Sequence, residues 1–159
     1  MSRHRKFNSP GIILIVAAIV LLLDQWSKRL VISSFMPGES RLVVVRLLRW
    51  TYERNFHGAF GLFGSNGALL VALAIVVLVI FWLSFRDAAA QSRLVCVAFG
   101  MIVGGAIGNI IDRVHFGFVV DFIDFYKVWP NIFNVADSCI TIGVVLLLLS
   151  SLGTSRRRA

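Results

Sequence analysis

Residues 94–113 read LVCVAFGMIVGGAIGNIIDR, and this stretch decides the fold. From Leu94 to Ile111 it carries no charged side chain, close to the roughly 20 residues that a helix needs to cross a bilayer. Gly100, Gly104 and Gly108 recur every four residues and so share one helical face, bare enough for a second helix to approach closely. Helix packing is the reading preferred over a phosphate-cradling loop, because nothing soluble surrounds the glycines. The run ends in polar residues. Asn109 and Asp112 lie three apart on one face, with Arg113 beside them.

Three further apolar runs flank this one, at about Gly11 to Ile32, Gly67 to Phe85 and Val135 to Leu152. With 58% apolar and 15% charged residues in a chain of 159, a soluble core could not cover so much apolar side chain. The expected fold is therefore an all-α membrane protein, a single domain over 1–159 with four transmembrane helices at about 11–32, 67–85, 94–111 and 135–152. The apolar start after Arg3, His4, Arg5 and Lys6 resembles a secretory signal, but no small-x-small cleavage site follows, so an uncleaved first span is expected.

Outer segments of about 33–66 and 112–134 remain. Arg41 to Arg46 is a run of strand-forming residues, followed by Arg49-Trp50-Thr51-Tyr52, which predicts a small β structure at the membrane surface with Trp50 and Tyr52 at headgroup level. The aromatic and β-branched content of Phe118 to Phe125 favours an extended strand, with a surface helix as the alternative. An even span count puts both termini on one side. Each side carries eight Lys and Arg, but on one of them the charges crowd into short segments at the termini and at 86–93. Such segments set orientation, so both termini are expected in the cytoplasm.

The net charge of +8 follows this flanking pattern and forms no nucleic-acid-binding module, so no nucleic-acid partner is expected; membrane lipid is. Cys96 and Cys139 lie inside apolar runs and read as packing residues.

Polar groups from separate segments converge on the outer ends of the spans. They are Asp24 late in the first, Asn109, Asp112 and Arg113 ending the third, and Asn134 and Asp137 opening the fourth, with Asn55, Asp121 and Asp124 in the adjoining segments. Intramembrane ionisable residues are costly and tend to be functional. Bland readings exist for each one. Asn134 and Asp137 have the form of a helix cap with an acid three positions on, Asp112 and Arg113 that of an interfacial ion pair, and Asp24 and Lys28 that of an intrahelical pair. Asp124 reads as a solvated strand residue.

His4, His57 and His115 are scattered and no cysteine cluster exists, so no metal site is expected. Ser138 lacks a base at a recognisable spacing. Carboxylates remain. Two held close cannot both ionise comfortably, so one keeps a proton and the pair divides acid and base roles without metal or cofactor. Periodicity does not select the pair. It also leaves open an ion-coupled transporter or a structural membrane subunit, although the acids cluster at one face rather than at the midplane.

Five blocks occur in order: Asp24-Gln25-x-Ser27-Lys28; Arg54-Asn55 followed by Gly58-Ala59-Phe60-Gly61; Gly104-Gly105-x-x-Gly108-Asn109-x-x-Asp112-Arg113; Val119-Val120-Asp121-Phe122; and Phe133-Asn134-x-Ala136-Asp137-Ser138. Together they resemble the signature of the lipoprotein signal peptidase (signal peptidase II) family. That resemblance implies a bacterial inner-membrane aspartic endopeptidase with its site at the extracytoplasmic face, acting as a monomer without cofactor or metal. Its substrates would be diacylglyceryl-modified prolipoproteins, cut just before the lipid-bearing cysteine. It implies a catalytic pair of Asp121 and Asp137, a site lined or braced by Asp24, Lys28, Asn55, Gly108, Asn109, Asp112, Arg113, Asn134 and Ala136, and a small extracytoplasmic β-cradle. One departure stands out: His57 occupies a position where the family usually carries glycine.

Overall fold

The computed structural model describes residues 9–58, 66–89 and 92–155. Four helices and three strands follow in the order α1 (Ser9–Ser34), β1 (Ser40–Val44), β2 (Leu48–Asn55), α2 (Gly67–Ala89), α3 (Arg93–Phe116), β3 (Val119–Asp124) and α4 (Val135–Ser155). The basic residues before Ser9, Ala59 to Gly61 and Arg156 to Arg158 lie outside the described residues.

The Leu94–Arg113 run forms the central helix. Ser92 caps α3 by accepting the Val95 N–H at 3.4 Å, and Gly117 ends it in the left-handed conformation, φ 80°, with its N–H on the Arg113 carbonyl. The glycines let α3 take a neighbour on two sides. A Cβ on Gly104 would stand 2.6 Å from the Ala17 carbonyl of α1, and one on Gly105 would stand 2.6 Å from the Ala136 carbonyl of α4. Neither gap admits a side chain. α2 packs on α3 from a third side.

Three helices are long and apolar enough to cross a membrane: Pro10–Ser34, Gly67–Asp87 and Arg93–Phe116; α4 is apolar over the shorter stretch Val135–Ser151. Only 11% of the first span's window and 6% of the second's are buried inside the protein, against 61% for α3. Leu14, Ile15, Leu22, Val76, Ile80 and Leu83 are among the apolar side chains left outside. Surfaces of this composition suit lipid rather than water.

The strands form one antiparallel sheet in the order β1-β2-β3. β1 is shorter than the 41–46 run predicts, because Arg46 turns the chain at φ 65°. β3 is the expected strand over Val119–Asp124, and almost all of it is buried. Tyr52 departs from expectation. It is buried with Val31, Val120 and Phe122 in the core between the sheet and the end of α1, rather than lying at an exposed surface. Trp50 is exposed and packs beside Phe122.

Candidate active site

After β3 the chain turns through Phe125 to Trp129 and comes back beside its own strand. Phe133 donates its N–H to the Ile123 carbonyl at 3.1 Å and accepts the N–H of Phe122 and Ile123 at 3.0 and 2.7 Å. This return sets Asn134 beside Asp121. Asn134 then starts α4, its Oδ1 accepting the Asp137 N–H at 2.9 Å. The cap foreseen from the sequence is present, but the Asp137 carboxylate does not fold back on it. Instead it accepts the Asn109 Nδ2 of α3 at 2.7 Å.

Asp121 is 1% exposed. Its two oxygens accept the Asn134 Nδ2 at 2.7 Å and the Asn55 Nδ2 at 2.8 Å. The orientation of each asparagine is forced by what its own oxygen accepts. Asn55 Oδ1 takes the backbone N–H of His57 and Gly58 at 3.1 and 3.0 Å. Asn109 Oδ1 takes the Lys28 ammonium at 3.0 Å, and Asn134 Oδ1 takes the Asp137 N–H. Each amide nitrogen must therefore face a carboxylate. In the 55–58 turn His57 is exposed, and Gly58 supplies the positive φ of 71°.

Behind the asparagines lies a buried ionic cluster. Lys28 Nζ sits 2.9 Å from both Asp24 and Asp112. The Asp24–Lys28 pair within α1 is thus present and extended to α3. Asp112 does not pair with Arg113; its second partners are the Val120 N–H at 3.1 Å and Gln25 Nε2 at 3.0 Å. Asp24 accepts the Ala136 N–H at 3.0 Å, which ties α1 to the first turn of α4. Gly108 is where it is because any Cβ there would run into the Asp24 carboxylate. Gln25, for which the sequence predicted no role, also reaches the Gly108 carbonyl at 3.3 Å. Its position directly beside Asp24 in an apolar run was the signal for it.

Arg113 lies within electrostatic reach of Asp112, Asp121 and Asp137. Its Nη1 bonds the Asn109 carbonyl at 3.4 Å, while its buried Nε has no partner among the described residues. Asp124 corrects an expectation. It is 3% exposed rather than solvated, and is held by Arg49 and by Thr51 Oγ1 at 2.9 Å. All the site residues foreseen from the sequence therefore gather at one end of the helix bundle, against the sheet.

Among the buried or half-buried acids, Asp24, Asp112 and Asp124 each have a cation. No ion pair with Asp121 or Asp137 occurs among the described residues. Burial, and after it the nearby Asp137 charge, pushes Asp121 up to about 7; the amides of Asn55 and Asn134 and the Lys28 charge oppose the rise. A carboxyl raised towards neutral pH in this way is suited to acid–base work.

Residues 16–153 match the family described as Signal peptidase (SPase) II. A lipoprotein signal peptidase of Halothermothrix orenii is 41% identical over 135 residues, covering 85% of this chain and 91% of its own. One from Cupriavidus taiwanensis is 40% identical over 158 residues, covering 94% and 88%. A solved bacterial membrane enzyme superposes with a TM-score of 0.88 at 31% identity, over 99% of this chain and 97% of its own. A match that runs from α1 into α4 at these identities shows that the chain belongs to the signal peptidase II family of peptidases.

Proposed function

We propose that this chain is a membrane aspartic endopeptidase that removes the signal peptide from diacylglyceryl-modified prolipoproteins, cutting just before the lipid-bearing cysteine, with Asp121 and Asp137 as its catalytic pair. The observation that carries the assignment is the set of three orientation-locked asparagines. Each gives its amide nitrogen to one of these two carboxylates, and neither carboxylate forms an ion pair among the described residues, although the Lys28 and Arg113 charges reach both.

The pair shares one proton. The ionised partner takes a proton from a water molecule as its oxygen attacks the scissile carbonyl carbon, while the protonated partner donates a hydrogen bond to the carbonyl oxygen. The tetrahedral intermediate collapses as the leaving amine receives the proton taken from water. One water is consumed and the shared proton is restored. The buried Nε of Arg113, without a partner among the described residues, supports a role for this side chain in holding a substrate carbonyl near the pair.

The wider reading is a single domain over 1–159 with four spans. At 21 residues α4 is about 30 Å long, which supports counting it as the fourth. Both termini would face the cytoplasm and the site the extracytoplasmic side, where a substrate's acyl chains stay in lipid while its peptide bond meets water. The protein would act as a monomer in contact with membrane lipid, without nucleic acid, metal or cofactor.

Cleavage of a diacylglyceryl-modified lipobox precursor by the purified protein in detergent, with chelator present, tests this. The expected product begins at the modified cysteine. Chelator-sensitive cleavage, or proton flux into liposomes with no cleavage, would overturn the proposal.

A further inference from the structure

β2 and β3 do not pair in a single register. Arg49 faces Asp124 and Trp50 faces Ile123, but the next partners are Glu53 with Asp121 and Asn55 with Val119. Thr51 and Tyr52 together stand across from the single residue Phe122. That is a β-bulge, and two consecutive buried residues in β2 are its mark on the burial pattern. A ladder continued from the Arg49–Asp124 pair would put Tyr52, not Glu53, across from Asp121. The one extra residue thus decides which part of β2 meets Asp121 and lets Asn55 reach its carboxylate.

The bulge is held from one side by one atom. Asp124 Oδ2 accepts both Arg49 Nε, just before the bulge, and Thr51 Oγ1, inside it at 2.9 Å. Thr51 Oγ1 also lies 2.8 Å from Ser40 Oγ in β1. The Arg49 guanidinium stands over the Tyr126 ring at 5.0 Å, and the Tyr126 hydroxyl accepts the Arg46 N–H at 2.6 Å. Nothing in the acid–base chemistry uses Asp124, yet it is a buried carboxylate on the strand that carries Asp121, three residues away.

We infer that Asp124 is a positioning residue: by pinning Arg49 and Thr51 it fixes the β-bulge that aims Asp121 at Asn55 and Asn134. The inference rests on the assignment of Asp121 proposed above. Bulges beside active sites re-aim side chains, and a one-residue slip in a strand turns every side chain to the other face. Without the Asp124 carboxylate, Thr51 loses the acceptor that holds it inside the bulge, and the extra residue is free to move along β2. The Asn55 amide then parts from Asp121.

The test compares Asp124→Ala, Asp124→Asn, Thr51→Val and Asp121→Asn by kcat, KM and pH profile on folded, detergent-purified protein. Asp124→Ala is expected to lose on the order of a hundredfold in kcat, the scale of a small misplacement of a reacting group. Thr51→Val should lose roughly tenfold, about one hydrogen bond to a charged acceptor. Asp124→Asn, which keeps an oxygen for Thr51, should fall between Ala and wild type. KM should change little, and the alkaline limb of the profile should move as Asp121 leaves its surroundings.

Loss of stability alone would lower the yield of folded enzyme and leave that limb in place. A wild-type kcat and pH profile in the Asp124 variants and in Thr51→Val, beside an inactive Asp121→Asn, overturns the positioning role and spares the catalytic pair. Turnover by Asp121→Asn overturns the pair itself. Should Asp124→Ala fail to fold, Thr51→Val decides by the same readings.

Discussion

Asp24, Asp112 and Asp121 are equally hidden, at 0%, 1% and 1% exposure, yet their surroundings differ in kind. Asp24 and Asp112 clamp Lys28 between them and also accept backbone N–H groups from the start of α4 and from β3. Asp121, with Asp137 near it, takes its side-chain hydrogen bonds among the described residues from neutral amides. Lys28 ties the first pair together across α1 and α3 and makes it scaffold. Amides steady the second pair with no ion pair among the described residues, which suits the shared proton of the proposed mechanism. Burial alone does not separate a brace from a catalyst; the nature of the partner does.

The largest effects should fall on opposite properties in the two clusters. Asp121→Asn and Asp137→Asn are each expected to lower precursor cleavage by at least about a thousandfold, within the range for removal of an acid–base group, while the protein stays folded in detergent. Lys28→Met should do the reverse of sparing the fold. It leaves two buried carboxylates without their cation, and breaking a buried ion pair from one side costs about 3–5 kcal/mol. Size-exclusion profiles and thermal melts of the three variants check the contrast. A well-folded Lys28→Met, or a collapsed Asp121→Asn, would break it.

Titration sharpens the comparison further. Asp121 moves from 3.8 to about 7 on folding, through burial first and the Asp137 charge second. Between those values the folded chain holds a proton that the unfolded chain has lost. The stability from this group is therefore fully present below 3.8 and is lost as pH rises through about 7. Melting temperature should fall across that window in wild type, and the fall should be shallower in Asp121→Asn. Cleavage should decline on the alkaline side from near the same pH, as the pair gives up its shared proton. That apparent value belongs to the pair rather than to either acid. A stability curve of the same slope in Asp121→Asn would remove Asp121 as its source.

A smaller effect is expected at the joint between the two clusters. In Gly108→Ala the new methyl group would press on the Asp24 carboxylate, which Lys28 and the Ala136 N–H hold in place. Overpacking of this kind costs about 1–3 kcal/mol. The strain falls on the brace, so melting temperature should drop before kcat does. A fall in kcat at unchanged melting temperature would mean that Gly108 serves the chemistry directly.

The helical half of this architecture was legible in the sequence because lipid imposes simple rules. Long apolar runs, glycines at four-residue spacing and polar residues at span ends each have one dominant physical cause, and the observed helices start and stop within a few residues of the expected bounds. The gathering of Asp24, Asn109, Asp112, Asn134 and Asp137 at one end follows from the same rules. The sheet was foreseen, but the surroundings of two of its residues were not. Asp124 looked solvated because it is a charged strand residue, yet β3 is buried on both faces; Tyr52 looked interfacial by residue type, yet β2 turns it into the core with Val31 and Phe122. The partner of Asp112 was also misjudged: its sequence neighbour Arg113 was the obvious candidate, whereas Lys28 comes from another helix. Long-range pairs of this kind leave no trace in local spacing.

The mildest substitution addresses both clusters at once. Asn134 caps α4, gives its amide to Asp121, and lies 3.2 Å from the Asn109 oxygen that Lys28 also holds. Asn134→Ala should cost about 1 kcal/mol of stability as a lost helix cap, and it should lower cleavage because one of the two amides on Asp121 is gone. Asn134→Asp separates the two contributions. An aspartate can still cap the Asp137 N–H, so stability should recover in part, but it sets a carboxylate where Asp121 now finds a donor. Activity should therefore fall further even as the helix start is restored. If capping were the whole role of Asn134, cleavage would follow the melting temperature in both variants; opposite movements of the two would show that one side chain serves the brace through its oxygen and the catalytic pair through its nitrogen.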